Sequence, residues 1–300
     1  MKHITDISFS SLSLTNFLGN PVSSAAIVVT TEGFRVQLEF SAELHHSEVA
    51  YCGAIFEAGN PNTHLYKWLQ ENNADMLEVS SFIQELLTGT HVVESSEWKL
   101  VAIDENGEVI KDENNEAIWK KLTDEEKQHL KPGKDNKVHI FNNGMFNSVD
   151  AAKKLALQNH QSDYLIHFPL TNNALSELMV AGYQKFLESE GFGLTNAVKE
   201  NIKVMGRYGK EGLIIDAHSR GGMTTGNALT FIDKNSNDNS ILEFLDIYTV
   251  GSAFNNQKMA DMLNKKSATS GKVYAQVHKD DFVGTFIGGN EATGGTTPDG

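Results

Sequence analysis

Leu213-Ile214-Ile215-Asp216-Ala217-His218-Ser219-Arg220-Gly221-Gly222 is the stretch on which the fold turns. An apolar run enters a small-x-Ser-x-Gly turn and then a helix-compatible segment, the pattern of a strand bending through a sharp elbow into a helix. So tight a turn needs small residues two before and two after the serine, and Ala217 and Gly221 stand there. Ser219 then projects from the strand end at a helix N-terminus. There the backbone N–H of Arg220 donates to a developing oxyanion with the helix dipole behind it. On this reading Ser219 is a nucleophile; the simpler reading makes it the cap of the following helix.

Around this stretch, short apolar segments at 138–141, 164–168, 213–217, 242–250 and 272–277 alternate with helical stripes. One stripe carries Leu175, Leu178, Met179, Gly182, Tyr183, Phe186 and Leu187; another carries Met259, Met262 and Leu263. Strands alternating with helices predict an α/β domain, a doubly wound and mainly parallel sheet over residues 137–300. Open sheets of this kind place their sites at the C-terminal strand ends. No internal repeat is evident, and the Gly/Thr-rich stretch 288–300 reads as a loop or a cut end.

Upstream the pattern differs. The run 26–29, followed by Phe34, Val36, Leu38 and Phe40 in alternation, predicts a hairpin turning at Glu32-Gly33. Phe82, Ile83, Leu86 and Leu87 after Val79 form a helical stripe. Glu105-Asn106-Gly107 reads as a hairpin turn between 100–103 and 109–110. Thr123 and Glu126 have capping-box spacing, opening a short charged helix that ends before Pro132-Gly133. The expectation is a smaller N-terminal α+β module over 1–130, with the boundary at about 123–136.

Residues 1–150 hold 11 basic and 23 acidic side chains, and the whole chain has a formal charge of −14. A phosphate backbone is repelled by such a surface, so nucleic acid is not an expected partner. Cys52 is the single cysteine, which excludes an internal disulfide. No apolar run approaches the roughly 18 residues of a transmembrane helix. Residues 7–18 are too polar for a secretory signal, so export would need a signal outside this chain.

Other site residues follow from the elbow. The loop Asn142-Asn143-Gly144-Met145-Phe146-Asn147 follows an earlier strand, and Gly144 lets backbone come close to a ligand. The Met145 N–H is the expected second oxyanion donor; a plain strand-to-helix turn explains the loop equally well. After the strand at 272–277 comes His278-Lys279-Asp280-Asp281, where Asp281 is the expected orienting acid, Asp280 the runner-up and Asp246 a weaker choice. In hydrolases with this elbow the histidine follows the acid in the chain. Here no histidine follows Asp281. The candidate bases are therefore His278 and His167, with His218 beside the serine but its side chain directed elsewhere; otherwise the base lies beyond 300 or the site is dead. His45-His46-x-Glu48 lacks zinc-pair spacing, and 233–238 begins like a calcium loop but lacks its glycine and glutamate. No metal, nucleotide or other cofactor is expected.

The stretches Val138-His-Ile-Phe-Asn-Asn-Gly-Met-Phe-Asn147, His167-Phe-Pro-Leu-Thr-Asn-Asn-Ala-Leu-Ser-Glu177, Asp216-Ala-His-Ser-Arg-Gly-Gly222 and Asp281-Phe-Val-Gly284 through Gly288-Gly-Asn290 carry a likeness. Over about 137–300 the chain resembles the C-terminal region of bacterial filamentous haemagglutinin-like proteins, the secreted adhesins and contact-dependent growth inhibition effectors. That region is similar to α/β hydrolases, especially class 3 lipases, whose His-x-x-Asp-x-Val pattern is matched by His278-Lys-Asp-Asp281-Phe-Val283. Departures are Ala217 for the usual first glycine, Arg220 after the serine, and the absent final histidine. The resemblance implies an α/β-hydrolase domain over 137–300 cut short at its C-terminus. It also implies a lipase- or esterase-like module of a secreted or cell-surface toxin or adhesin, with an ester or lipid substrate and an immunity protein as partner. The alternative is a non-catalytic adhesion or interaction module that keeps the fold.

Overall fold

A computed structural model describes residues 96–158, 162–170, 180–181, 184–185, 188, 194–267, 271–279, 281 and 283–293, and the backbone of strands 7–9, 22–30 and 33–40. The chain divides into two compact units, Met1–Val93 with Thr171–Gly193, and Glu94–Leu170 with Leu194–Gly300. In the first, β1 (Ile7–Phe9), β2 (Val22–Thr30) and β3 (Gly33–Phe40) form an antiparallel sheet in the order β1-β2-β3. Thr30 pairs with Gly33, so β2 and β3 form the expected hairpin. The stripe at 82–87, Cys52, His45 and His46 lie outside the described residues, as does most of the stripe at 175–187.

The second unit is built on a seven-stranded sheet. Its strands are β4 (Glu97–Val101), β5 (Trp119–Lys121), β6 (Val138–Asn142), β7 (Tyr164–His167), β8 (Leu213–His218), β9 (Leu245–Val250) and β10 (Lys272–Gln276). Their order is β10-β9-β8-β6-β7-β4-β5; the first five are parallel, and β4 joins β7 and β5 antiparallel. The expected five parallel strands all form. The helices are α1 (Val149–Gln158), α2 (Asn196–Tyr208), α3 (Arg220–Asn235) and α4 (Asn256–Lys266).

Residues 141 and 142 fix which helices lie on which face, because neighbouring strand residues point to opposite sides. Phe141 packs with Leu165 against Ala152 and Ala156 of α1, whereas the Asn142 amide bonds to Asn201 of α2 and Thr225 of α3. The sheet therefore carries α1 on one face and α2 and α3 on the other. Val138, Ile140, Leu213, Ile215, Leu245 and Ile247 are all buried. Each such side chain contributes about 1.5–3 kcal/mol when fully buried. β8 is buried over five successive residues, as a strand covered on both faces should be. In β9, by contrast, Leu245, Ile247 and Thr249 are buried while Asp246, Tyr248 and Val250 are half-exposed.

The division falls at 93/94, upstream of the expected boundary at 123–136. β4 lies between β7 and β5 in the sheet, and Trp98 and Val101 are core residues. Thr123 and Glu126 do form a capping box, Thr123 N donating to Glu126 Oε2 at 2.9 Å and Glu126 N to Thr123 Oγ1 at 3.2 Å. They cap only a single 3₁₀ turn, Glu126–Gln128.

A short repeat also corrects the sequence reading. In Asp104-Glu105-Asn106-Gly107-Glu108 the Asp104 Oδ1 accepts from the N–H groups of Asn106 and Glu108. In Asp112-Glu113-Asn114-Asn115-Glu116 the Asp112 Oδ1 accepts from Asn114 and Glu116 in the same way. Gly107 and Asn115 occupy the left-handed position with φ of 78° and 64°, the two residue types that tolerate it best. The stretch 288–293 is anchored rather than loose. Asn290 Nδ2 donates to the carbonyls of Ser252, Phe254 and Gly284, and Thr293 bonds Val277 through N and Oγ1.

Candidate functional site

At Ser219 the backbone has φ 52° and ψ −114°. That region costs an ordinary residue about 1–3 kcal/mol and persists only where surrounding structure dictates it. Here it is dictated from both sides: Ser219 N donates to Val250 O at 2.9 Å, and Ser219 O accepts from Gly222 N and Ala253 N, each at 3.0 Å. The Ser219 hydroxyl makes no capping hydrogen bond to the helix, so the simpler reading of Ser219 as a side-chain cap fails. Arg220 opens α3, directing its N–H out of the helix N-terminus.

The β6–α1 loop crosses close to this serine. A Cβ on Gly144 would lie 3.1 Å from Ser219 Cβ and 2.6 Å from His218 Nδ1. Three contacts hold the loop. Gly144 N donates to Asn147 Oδ1 at 3.0 Å, Asn143 Nδ2 donates to Phe168 O at 3.0 Å, and Phe168 N donates to Asn143 Oδ1 at 2.7 Å. Met145, next in line, is half-buried, and its N–H makes no hydrogen bond among the described residues. The buried Arg220 side chain points away, stacking 4.0 Å over the Phe168 ring and donating to Phe168 O at 3.3 Å.

Asp281 lies on the other side of the elbow. Its Oδ1 accepts from Val283 N at 3.0 Å and Gly284 N at 3.1 Å. Oδ2 faces Gly251, where a Cβ would come within 2.3 Å of it. Gly251 follows Val250, whose carbonyl receives the Ser219 N–H, so acid and serine are tied through one loop. Asp246 is excluded by position: it lies at the start of β9 and pairs with Lys137 Nζ at 2.8 Å. Asp280 lies outside the described residues.

The histidines are distributed unequally. His167 is 2% exposed, with Nε2 at 3.1 Å from Asn147 O. Burial holds it below the ordinary histidine value, against the raising effect of that carbonyl. His278 is exposed at the turn where its carbonyl accepts Asp281 N. His218, which adjoins the serine, has a buried Nδ1 with no partner. Burial lowers its pKa and the Asp281 charge opposes this, so it lies within that carboxylate's field. His167 bonds Asn147 O through Nε2, and the buried Nδ1 atoms of His167 and His218 make no hydrogen bond among the described residues.

An amide cluster not foreseen from sequence supports the elbow. Asn142 and Asn201 exchange two hydrogen bonds, at 2.8 and 3.0 Å; Asn142 also reaches Thr225 Oγ1, which donates to Gly221 O. At strand ends, asparagines read as turn residues, so only pairing across three elements gives them this role. A cleft of about 470 Å³ opens on the α1 face of the sheet beside Asp216, Tyr248 and Tyr274, sharing His218 with the elbow. Among the described residues no cluster of His, Cys, Asp and Glu could hold a metal ion, and no helix is long and apolar enough to cross a membrane.

A second titratable cluster sits at the opposite, N-terminal end of β6 and β7. His139 Nε2 lies 2.9 Å from Asp135 Oδ2, beside Asp163, which is 7% exposed. Burial lifts Asp163 from 3.8 to about 6, the Asp135 charge adding to this and His139 opposing it. With the folded-state pKa raised, its contribution to stability is full below about pH 3.8 and is lost as pH rises through about 6. The loss is about 3 kcal/mol. Asp163→Asn is therefore expected to raise stability at pH 8 by about 2 kcal/mol and to bring no gain at pH 4, as measured by urea unfolding at both pH values.

Comparison of this chain with family models, with curated proteins and with solved structures returns no match. The α/β class of the second unit rests on its own sheet order and helices.

Proposed function

We propose that the unit Glu94–Leu170 with Leu194–Gly300 is a serine ester hydrolase of the α/β-hydrolase type. The observation that carries this reading is the backbone of Ser219, strained at φ 52° and ψ −114° where a central parallel strand meets a helix N-terminus. Ser219 Oγ bonds to the ester carbonyl carbon while its proton passes to an imidazole. The carbonyl oxygen becomes an oxyanion held by the N–H groups of Arg220 and Met145. Collapse expels the alcohol, which takes the proton from the imidazolium. Water then adds to the acyl-enzyme by the same proton route and releases the carboxylic acid. Asp281, with Oδ1 pinned by two backbone N–H groups, orients and stabilises the imidazolium. His167 and His278 are the bases the sequence ranks first, and the unpartnered Nδ1 of His218 in the field of Asp281 supports His218 beside them.

Phe146 and Leu170, 54% and 43% exposed after β6 and β7, place apolar surface on loops at the Ser219 end of the sheet. This favours esters with apolar acyl chains, lipids among them. The resemblance to filamentous haemagglutinin-like proteins supports placing the unit in a secreted or surface-borne bacterial toxin or adhesin. The test is intact-mass detection of a fluorophosphonate adduct on the full chain. One adduct is expected on the wild type and none on Ser219→Ala. Absence of an adduct on both overturns an autonomous hydrolase and leaves a binding module on the same fold.

A further inference from the structure

We propose that the pocket between the Gly107 turn and the Gly133–Asp135 turn is a binding site for a guanidinium group, with Asp163 as its anion. The proposal is independent of the hydrolase reading, because the pocket lies at the N-terminal end of the strands whose C-terminal ends carry Ser219. About 360 Å³ is enclosed by Gly107, Glu108, Val109, Lys111 and Gly133 to Asp135 on the outside, with His139 and Asp163 behind them. Asp163 is more than nine-tenths buried, yet its carboxylate makes no hydrogen bond or ion pair among the described residues. The other acids here are compensated. Glu108 pairs with Lys134 Nζ at 2.5 Å, and Asp135 bonds His139 at 2.9 Å and accepts Lys137 N at 3.0 Å.

A second buried group points the same way. With Nε2 held by Asp135, His139 keeps a buried Nδ1 without a partner. When Nε2 carries the proton, this nitrogen is an acceptor, as both carboxylate oxygens of Asp163 are. The complement of such a set is a group with donors only and a positive charge. A guanidinium meets both conditions, and its planar fork fits the two oxygens of one carboxylate. The space exceeds what a bare ammonium fills, and Val109 supplies apolar surface for the aliphatic stem. Of the two lysines lining the pocket, Lys134 is paired with Glu108, while Lys111 makes no ion pair among the described residues and is free to compete for the site.

The experiment titrates the full chain with N-acetyl-arginine methylamide and with free agmatine at pH 7.5, following backbone amide shifts by NMR. Saturable shifts confined to residues near 107–109 and 133–139 are expected at about millimolar probe, none appearing with N-acetyl-citrulline methylamide, which keeps the shape without the charge. Asp163→Asn should weaken binding at least about tenfold, and Lys111→Ala should tighten it. Tighter binding of the peptide mimic than of agmatine assigns the site to a polypeptide arginine, and the reverse to a free amine. Equal binding of the citrulline probe, unchanged affinity in Asp163→Asn, or no localised shift overturns the proposal. The amide spectrum of each variant reports its fold in the same measurement.

Discussion

Ser219→Gly is expected to melt higher than Ser219→Ala and no lower than the parent, while losing all reaction at residue 219. Ser219 holds φ 52° and ψ −114° because its N–H and C=O are committed to Val250, Gly222 and Ala253. A side chain of any kind at that backbone carries a strain of about 1–3 kcal/mol. Glycine removes it and gives back about 0.5–1 kcal/mol in unfolded-state entropy. The net expectation is a gain of about 1 kcal/mol over alanine, read by thermal unfolding of the two variants side by side. Both variants lack the proposed nucleophile, so on the hydrolase reading hydrolysis of a chromogenic ester should fall by about 10⁴-fold or more. A glycine variant less stable than the alanine variant would mean that the elbow is not strained in solution. Loss of stability and loss of activity separate here, which is the mark of strain kept for a function.

The strand and elbow at 213–222 were legible because each requirement of that turn is local. An apolar strand, Ala217 and Gly221 at the flanking positions and a helix-compatible run all fall within ten residues. The five parallel strands were legible for a similar reason, as short apolar-rich segments between helical stripes. β4 and β5 were not. The sequence shows only a hairpin between 100–103 and 109–110, and the pairing that places β4 in the large sheet joins Glu97 to His167 and Leu100 to Tyr164, far apart in the chain. No local pattern encodes that partner. Asp281 was chosen as candidate acid by its position after a strand, and the structure adds the two backbone N–H groups that hold its carboxylate. His218 ranked below His278 and His167 because its side chain is directed away from the turn. Only the crossing of Gly144 over it and the field of Asp281 bring it into the site. The 104–116 repeat escaped notice because its two halves share Asp-Glu-Asn and a final Glu but differ where φ is positive, Gly107 against Asn115.

Gly221→Ala is expected to be the most damaging single-methyl substitution in the second unit. A Cβ at 221 would stand 2.1 Å from the carbonyl oxygen of Asn142 and 2.6 Å from its carbon. Neither atom has room to retreat. β6 is paired on both sides, with β7 and β8, and the Asn142 side chain is bonded into α2 and α3. The N-terminus of α3 must therefore back away from the sheet, taking Arg220 and the strained Ser219 with it. Overpacking against fixed backbone costs about 3 kcal/mol or more, and a displacement of about 1 Å at a nucleophile costs about a hundredfold in rate. Urea unfolding should show the first and the rate of fluorophosphonate labelling the second. Gly206→Ala supplies the contrast on α2, where nothing lies within 4 Å of the added methyl. There the same change should stabilise by about 0.5–1 kcal/mol through helix propensity alone, with labelling unchanged. If Gly221→Ala were tolerated as well as Gly206→Ala, the close approach of α3 to β6 that sets the elbow would be wrong. The position of Ser219 over the sheet would then need another cause.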